Sequence, residues 1–329
     1  MTVSPAQPPV PVLAVLHSTD LPPDLEDRLA AADLDAKVRY ASASELAGAL
    51  PGADALLVWD FTIGDAVRTS WPAADALRWV HTASAGVDRL MFDEMLASDV
   101  VVTNSRGVFD TPMAEYVLGL VLAYAKDLPH TLRLQDRGEW RHRETETVAG
   151  STAVVVGGGP IGEAIAALLR AVGMRVRLVG RTARPGVHAT EELPGLLGDA
   201  DYLVLAAPLT DRTRGMVNAA SLALLPPRAR LINVGRGALV VQDDVVAALR
   251  AGTLAGAALD VFEAEPLPAD SPLWRLPGVL VSPHMSGDAI GWRQSLVELF
   301  VDNLARYRAG RPLRNMVDKS HGYVTSGSL

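Results

Sequence analysis

A glycine-rich turn in the middle of the chain constrains the fold more than any other feature of the sequence. Residues 153–162 read AVVVGGGPIG, an apolar run that leads into G-x-G-x-x-G at Gly157, Gly159 and Gly162. In this motif the first glycine allows a tight turn, the second lets the backbone approach a pyrophosphate, and the third lets helix and strand pack closely. The motif predicts a dinucleotide-binding α/β domain; the alternative is a glycine-rich loop without a ligand.

Short apolar runs alternate with amphipathic stretches along most of the chain, which is typical of parallel sheets covered by helices on both faces. The first series is predicted to form strands at 10–16, 37–41, 54–60, 77–82 and 99–104. The second series contains six runs, the number in a complete dinucleotide-binding fold. They are TAVVVG, RVRLVG, YLVLAA, RLINVG, AGAALDV and VLVSPH.

The segment between the two series has the pattern of long helices. PMAEYVLGLVLAYAKDL is predicted as one helix, with Thr111 as its N-cap and Pro112 at its first position. PHTLRLQDRGEW is predicted as a second helix that ends near Gly138, and a final helix is expected over about 289–309.

The position of the glycine turn follows if one domain is inserted into the other. We predict a dinucleotide-binding domain over 105–285, which also carries the long helix. The flanking segments, 1–104 and 286–329, would together form the second domain.

Composition excludes several classes of function. The 329 residues include no cysteine, which rules out disulfides, thiolate metal sites and cysteine nucleophiles. The net charge of −8 argues against nucleic acid as a partner, because phosphate binding requires a basic face. No apolar run reaches the roughly 18 residues of a membrane span. The Pro-rich start has no basic segment followed by an apolar one, so it is not read as a secretory signal. We expect a cytoplasmic protein without a membrane partner.

Three charged side chains are predicted at one edge of the inserted domain. Arg236, Glu265 and His284 each follow a predicted strand, as does Asp260, and ligands of such sheets bind at the carboxyl ends of strands. A proton donor, a carboxylate and a fixed cation suit reduction of a carbonyl, in which negative charge grows on oxygen. The spacings of metal ligands are absent, so no metal is predicted.

The end of the second strand of the inserted domain bears on the choice of cofactor. NAD-binding folds place an acidic residue there for the ribose 2′-hydroxyl, whereas this chain has Gly180, followed by Arg181, Thr182 and Arg184. Guanidinium groups bind a 2′-phosphate that a carboxylate would repel. We therefore favour NADP over NAD; the alternative is that these arginines are solvated loop residues.

Several long motifs, in the right order, resemble the D-2-hydroxyacid dehydrogenase family over nearly the whole chain. They are GGGPIG, INVGRGALVVQDDVVAALRAG, ALDVFEAEPLP, SPHMSG, HTASAGVDRL and NSRGVFDTPMAEYVLGLVLAYAKDLP. The resemblance implies two doubly wound parallel-sheet α/β domains, a Rossmann dinucleotide-binding domain inserted into a flavodoxin-like substrate domain. It implies reduction of a small 2-oxo acid to a D-2-hydroxy acid with NAD(P)H. The missing acid at Gly180 resembles the NADPH-linked glyoxylate and hydroxypyruvate reductases.

The resemblance also implies roles for individual residues. Arg236 would bind the substrate carboxylate and polarise the keto oxygen, His284 would be the acid–base, and Glu265 would hold His284 protonated. The backbone of the HTASAGVDRL loop would hold the carboxylate in the cleft, through Ala85, Gly86 and Val87. Together with the glycine motif, the resemblance predicts a set of cofactor contacts. They are Gly157, Gly158, Gly159, Pro160, Ile161, Gly162, Arg181, Thr182, Arg184, Ala207, Pro208, Val234, Gly235, Arg236, Asp260, His284 and Ser286.

The long helix over 112–126 is apolar around much of its circumference and must be buried. Because the family pairs this helix with a second subunit, we predict a C₂ homodimer. Trp140 is expected either on an arm that reaches the partner's active site or as a surface anchor. Trp292 and Arg293, shortly after His284, are candidates for substrate contact.

Two other functions on the same fold are considered. Formate dehydrogenase carries glutamine where this chain has Glu265, which disfavours it. A dinucleotide-sensing binding protein of the corepressor type is the alternative from another class, although the chain has no segment that resembles a recruitment motif.

Overall fold

Two parallel sheets form the framework of residues 11–324, the part of the chain that the computed structural model describes. The Pro-rich N-terminal tail lies outside these residues. Their strands are β1 (Val12–Leu16), β2 (Lys37–Ala41), β3 (Ala55–Val58), β4 (Trp79–Thr82), β5 (Val101–Thr103), β6 (Thr152–Val156), β7 (Arg175–Gly180), β8 (Val187–Ala189), β9 (Tyr202–Leu205), β10 (Arg230–Asn233), β11 (Gly256–Leu259) and β12 (Val279–Val281).

The helices lie between the strands along the chain, which gives the alternation predicted from the sequence. They are α1 (Leu25–Ala31), α2 (Leu46–Ala49), α3 (Asp65–Ser70), α4 (Asp93–Ala97), α5 (Asp110–Ala125), α6 (Leu128–Asp136), α7 (Pro160–Ala171), α8 (Leu193–Leu196), α9 (Ala219–Leu222), α10 (Gln242–Ala251) and α11 (Trp292–Arg308). Within the described residues, none of these helices is both long and apolar enough to cross a membrane.

The first sheet has the order β2-β1-β3-β4-β5, and every pair in it is parallel. This is the flavodoxin-like order predicted for the flanking domain. All residues of β3 and β4 are buried, because helices cover both faces of the sheet.

The second sheet contains seven parallel strands in the order β12-β11-β10-β9-β6-β7-β8. Successive strands are added on one side of β6 as far as β8 and on its other side from β9 onward, and this switch in strand order opens the crevice in which such folds bind dinucleotides. The sequence predicted six strands, and the strand it missed is β8. Only three residues long, with His188 at its centre, β8 lacks the apolar run that marks the others.

The chain divides into two compact units. One consists of the residues up to 108 and from 290 onward, and the other of residues 109–289. The chain passes from one unit to the other after residues 108 and 289, in each case four residues after the predicted boundary. The first is displaced because Ser105 N–H donates to Ser84 O of the first sheet's unit (2.9 Å). The second boundary is displaced because Ser286 N–H donates to the carboxylate of Asp260 (2.9 Å), so Ser286 belongs to the same unit as Asp260.

The long helix α5 corrects one prediction. It begins at Asp110, so Thr111 lies within its first turn and the predicted N-cap at Thr111 is wrong. Asp110 takes the first position, where a negative charge is favourable near the helix N-terminus. As predicted, the following helix α6 ends just before Gly138, whose φ of 65° stops it.

Candidate active site

The glycine turn between β6 and α7 is built by close backbone approaches. Gly157 has φ of 132°, and a Cβ there would lie 2.6 Å from the carbonyl of Ala206 after β9. A Cβ at Gly162 would lie 1.6 Å from Gly157 O, so the first turn of α7 packs directly on the loop. Gly159 is exposed, with no atom within 4 Å of an added Cβ. The open position is the second glycine, where the motif requires a pyrophosphate to approach.

A basic side chain lies over the point where β7 ends. Gly180 is the last residue of β7, and a Cβ there would lie 3.5 Å from a guanidinium nitrogen of Arg184. The Arg184 guanidinium also donates to Gly158 O and pairs with Glu163 at 2.8 Å. The space of the usual acidic side chain is therefore next to a cation. The pair between Arg184 and Glu163, which lies in the first turn of α7, was not predicted from the sequence.

The other predicted cofactor residues line the same edge of the second sheet. Pro160 and Ile161 begin α7, and Arg181 and Thr182 are exposed in the turn after β7. Ala207 and Pro208 follow β9, and Val234 and Gly235 follow β10. A Cβ at Gly235 would lie 3.0 Å from Ala207 O, so these two loops are in contact.

The turn after β10 presents Arg236 through a buried asparagine. Asn233 accepts from Gly235 N–H at 3.1 Å and donates to Arg236 O at 3.0 Å. Gly237 leaves room for the loop after β11, since a Cβ there would lie 1.9 Å from the carbonyl carbon of Phe262. The Arg236 turn and the loop that carries Glu265 are thereby brought together. Sequence reasoning missed Asn233, although its position at the end of a strand was a usable signal.

The side chains of His284, after β12, and Glu265, after β11, are within hydrogen-bond distance of each other. His284 Nδ1 lies 2.9 Å from Glu265 Oε2, and Glu265 Oε1 accepts from Phe262 N–H at 2.9 Å. Burial by itself would raise the pKa of Glu265. The hydrogen bonds from His284 and Phe262, with the charges of His284 and Arg236, outweigh burial and hold this pKa below its usual range. The carboxylate is therefore ionised at neutral pH, and the other ring nitrogen of His284, Nε2, faces away from it.

Asp260 holds the loop that carries His284. It is 1% exposed, and its carboxylate accepts from Ser282 Oγ (2.6 Å), Met285 N–H (3.0 Å) and Ser286 N–H (2.9 Å). His284 N–H donates to Asp260 O at 2.8 Å. His284 adopts φ of 53°, a conformation that costs a non-glycine residue about 1–2 kcal/mol. These bonds to Asp260 offset that cost.

The loop after β4 contains the predicted substrate-binding residues, Ala85, Gly86 and Val87. It lies at the carboxyl edge of the first sheet. None of the three N–H groups donates a hydrogen bond within residues 11–324, whereas the carbonyls of Ser84, Ala85 and Gly86 are all bound. The loop thus offers backbone donors, the groups that suit an anion.

The remaining candidates lie on helices or arms. Trp140 is fully exposed in a stretch without regular structure after α6. Arg293 pairs with Asp20 at 2.7 Å and lies over the ring of Trp292 at 5.5 Å. Within the described residues, no group of His, Asp or Glu is arranged to hold a metal ion.

Comparison with known proteins identifies similar chains. Residues 118–286 match the family model described as D-isomer specific 2-hydroxyacid dehydrogenase, NAD binding domain. The chain is 34% identical over 261 residues to glyoxylate/hydroxypyruvate reductase A of Serratia proteamaculans, a match that covers 75% of this chain and 82% of that protein.

Solved structures with bound cofactor are similar over almost the whole chain. One is the D-isomer specific 2-hydroxyacid dehydrogenase of Xanthobacter autotrophicus Py2 in complex with NADPH and MES. Its TM-score is 0.83 at 37% identity, over 95% of this chain and all of that one. Another is the NADPH-dependent glyoxylate/hydroxypyruvate reductase of Sinorhizobium meliloti in complex with NADP and sulfate. Its TM-score is 0.81 at 32% identity, again over 95% of this chain and all of that one.

Proposed function

Because this chain belongs to the D-isomer specific 2-hydroxyacid dehydrogenase family, we propose that it reduces a small 2-oxo acid, glyoxylate or hydroxypyruvate, with NADPH. The observation that carries the proposal is the 2.9 Å contact between His284 and Glu265, close enough to Arg236 for its charge to act on the carboxylate. Arg236 follows β10, Glu265 follows β11 and His284 follows β12, and these three strands are neighbours in the sheet. An acid, its carboxylate partner and a cation thus meet at one edge.

The residues of the second sheet fit a dinucleotide. Gly157 and Gly162 have no room for a side chain, whereas Gly159 is open, so the loop presents bare backbone at the start of α7. The α7 N-terminus would hold the pyrophosphate. When bound, the nicotinamide ring supplies the hydride that the reduction requires.

The chain's own groups supply the proton and the charge stabilisation. Glu265 binds Nδ1 of His284, so Nε2 is the nitrogen that donates the proton to the keto oxygen. Arg236 binds the substrate carboxylate and stabilises the negative charge that grows on the keto oxygen. Asp260 fixes the backbone of the His284 loop, which keeps the imidazole in one place. In the other unit, the N–H groups of Ala85, Gly86 and Val87 are donors of the kind that suits an anionic group of the substrate.

A preference for NADP is supported by the residues around the end of β7. Gly180 places no acid at the end of β7, and the Arg184 guanidinium, which pairs with Glu163 on α7, lies beside this position. Arg181, exposed in the same turn, adds a second cation. The NADPH and NADP bound to the Xanthobacter and Sinorhizobium proteins point in the same direction.

A homodimer is part of the same proposal. Val117 and Val121 of α5 are fully buried within their own unit, but Leu122 is exposed. Large exposed apolar side chains continue on α6 and the arm after it, namely Leu128, Leu132 and Trp140. Such a concentration is typical of a protein interface. The cytoplasmic location stays a prediction from the sequence.

Turnover tests the proposal directly. The protein is mixed with glyoxylate, hydroxypyruvate, pyruvate or buffer, and with NADPH or NADH, and loss of nicotinamide absorbance is followed. We expect turnover with the first two acids and a higher kcat/KM with NADPH. Absence of reduction with every acid would contradict the proposal. Light scattering at micromolar concentration checks the dimer, and a monomer mass would refute it.

The corepressor alternative is not favoured by the relatives described above, which are reductases or dehydrogenases. A protein that only senses dinucleotides would bind NADPH without consuming it in the presence of 2-oxo acids. The same absorbance assay, with cofactor binding measured by calorimetry, therefore separates the two functions.

A further inference from the structure

A buried asparagine is bound to the loop that carries Ala85, Gly86 and Val87. Asn104 follows the edge strand β5 and is 3% exposed. Its Nδ2 donates to Ala85 O at 2.6 Å, and its Oδ1 accepts from Arg106 N–H at 3.2 Å. The side chain therefore spans from its own segment to the loop after β4.

Asn104 is itself fixed from the opposite side. Asn104 N–H donates to Asn315 O at 3.3 Å, and Asn104 O accepts from Asn315 Nδ2 at 3.2 Å. The segment around Asn315 pairs with β5, since Val317 N–H donates to Val102 O at 2.8 Å. The C-terminal segment thus covers the edge of the sheet and holds Asn104 in register.

The neighbouring residue adds a second tie to the same loop. Ser105 N–H donates to Ser84 O at 2.9 Å, and Ser105 Oγ donates to Thr82 O at 3.0 Å. Ser105 Oγ also lies 3.3 Å from Nε2 of His81, a fully buried histidine. Burial lowers the pKa of His81 to about 3, so this network stays neutral in the physiological range.

These ties determine where the loop's donors point. In a planar trans peptide, the carbonyl of one residue and the N–H of the next point in opposite directions. Binding of Ser84 O and Ala85 O to the 104–105 segment therefore turns the N–H groups of Ala85 and Gly86 away from it. Gly86 O, bound by Ser84 Oγ at 2.6 Å, turns the Val87 N–H in the same manner.

We propose that Asn104 is a positioning residue for substrate binding, which orients the Ala85–Gly86 peptide so that Gly86 N–H meets the substrate carboxylate. This inference rests on the proposed function. Asn104 does not touch the substrate itself. Loss of its amide frees the peptide to rotate, and the carboxylate then loses one oriented donor.

Asn104→Ala tests the proposal, with Asn303→Ala as the matched control. Asn303 is also a fully buried asparagine of the same unit, and it holds Arg314 through Nδ2 to O (3.2 Å) and Oδ1 to N–H (2.7 Å). Neither of these two bonds involves the loop after β4. For Asn104→Ala we expect KM for glyoxylate to rise about five- to tenfold, the equivalent of about 1–1.4 kcal/mol, because the carboxylate keeps the Gly86 donor but loses its fixed orientation.

The same variant should leave kcat and the NADPH dissociation constant within about twofold of wild type. Asn303→Ala should lower the melting temperature about as much as Asn104→Ala does, but it should leave KM for glyoxylate unchanged. If Asn104→Ala does not fold, Asn104→Ser serves instead, because its hydroxyl is too short to reach Ala85 O. An unchanged KM, or a KM, kcat and NADPH affinity that all change together, would overturn the positioning role.

Binding of oxamate, an unreactive analogue of a 2-oxo acid, gives a readout that does not depend on turnover. Calorimetry on NADPH-loaded protein should show the dissociation constant of oxamate rising by the same factor as KM in Asn104→Ala. Wild-type protein that binds oxamate but reduces no 2-oxo acid would contradict the proposed function alone. Equal oxamate affinity in wild type and variant would contradict the positioning role alone, and wild-type protein that neither binds oxamate nor reduces these acids would contradict both.

Discussion

The carboxyl edges of the two sheets use different chemistry. The second sheet ends in charged side chains, with Arg236, Glu265 and His284 after three adjacent strands. The first sheet instead ends in a loop held by the neutral Asn104 and Ser105, and its backbone N–H groups at Ala85 and Gly86, which donate no hydrogen bond within residues 11–324, point away from these two residues. Both sheets are doubly wound and parallel, so topology alone does not explain the difference.

The difference shows how each edge is positioned. A charged side chain acts through its own ionisable group, and the protein needs only to fix the rotamer, as Glu265 does for His284. A backbone donor acts only if its peptide plane is fixed, and this requires a tie to the preceding carbonyl, as at Ala85. Damage to the charged edge of the second sheet should therefore affect proton transfer, and damage to the backbone loop of the first sheet should affect binding.

The largest effect should come from removal of the acid at the charged edge. His284→Ala should lower kcat by about 10² to 10⁴-fold, because proton donation to the keto oxygen is lost. NADPH affinity, measured by calorimetry, should stay within about twofold. The matched control is His188→Ala, since His188 pairs with Glu192 at the same 2.9 Å but lies on β8. Near-normal turnover in His284→Ala would remove the contrast between the edges.

Next in size is the effect of the cation at the end of β7. Arg184→Ala should weaken NADPH binding about ten- to a hundredfold, because a charge-assisted hydrogen bond contributes about 1.5–3 kcal/mol. NADH, without the 2′-phosphate, should bind as before. The control is Arg177, which lies on β7 and pairs with Asp199. Arg177→Ala removes this pair and should affect the affinity for neither cofactor. Equal losses for NADPH and NADH would show that Arg184 acts only on the fold.

A smaller effect should come from the open glycine of the turn. Gly159→Ala should leave the melting temperature unchanged, because nothing lies within 4 Å of the added Cβ and φ is −88°. Dinucleotide affinity should fall about tenfold, the equivalent of about 1.4 kcal/mol of lost contact. Gly195→Ala, equally open but distant in sequence, should change neither quantity. Unchanged affinity in Gly159→Ala would argue against a pyrophosphate at this position.

The smallest effect should be seen in the pH dependence of stability. The pKa of Glu265 is lowered in the folded protein, so its ionised form stabilises the fold above the ordinary glutamate pKa of about 4.3. This stabilisation is lost as the pH falls through the lower folded-state pKa. Glu265→Gln should therefore cost about 0.5–1 kcal/mol at pH 7 and progressively less below about pH 4.3. Urea unfolding at pH 7, 5 and 3.5 measures this difference, and a difference that grows on acidification would contradict the assignment.

Much of the site was predictable because its signals are local. Gly157, Gly159 and Gly162 lie within six residues, and the strand before them is an unbroken apolar run. Arg236 and His284 follow strands of the same kind, and parallel strands bring their carboxyl ends to one edge. Sequence periodicity thus predicted the strands and helices of the two sheets, the positions of Arg236 and His284 after strands placed them at one edge, and the resemblance to a known family supplied their expected roles.

Tertiary structure decided the contacts between segments distant in the chain. Asn104 meets Ala85 across 19 residues only because β4 and β5 are neighbours, and Arg184 lies over Gly158 only because β7 adjoins β6. Gly237 has no sequence context that reveals the 1.9 Å approach of Phe262. A local pattern reports which face of an element is buried, but strand order determines which polar group faces which. The orientation of the Ala85–Gly86 peptide is therefore a property of the folded sheet, whereas the charge of His284 and its partners is already present in the chain.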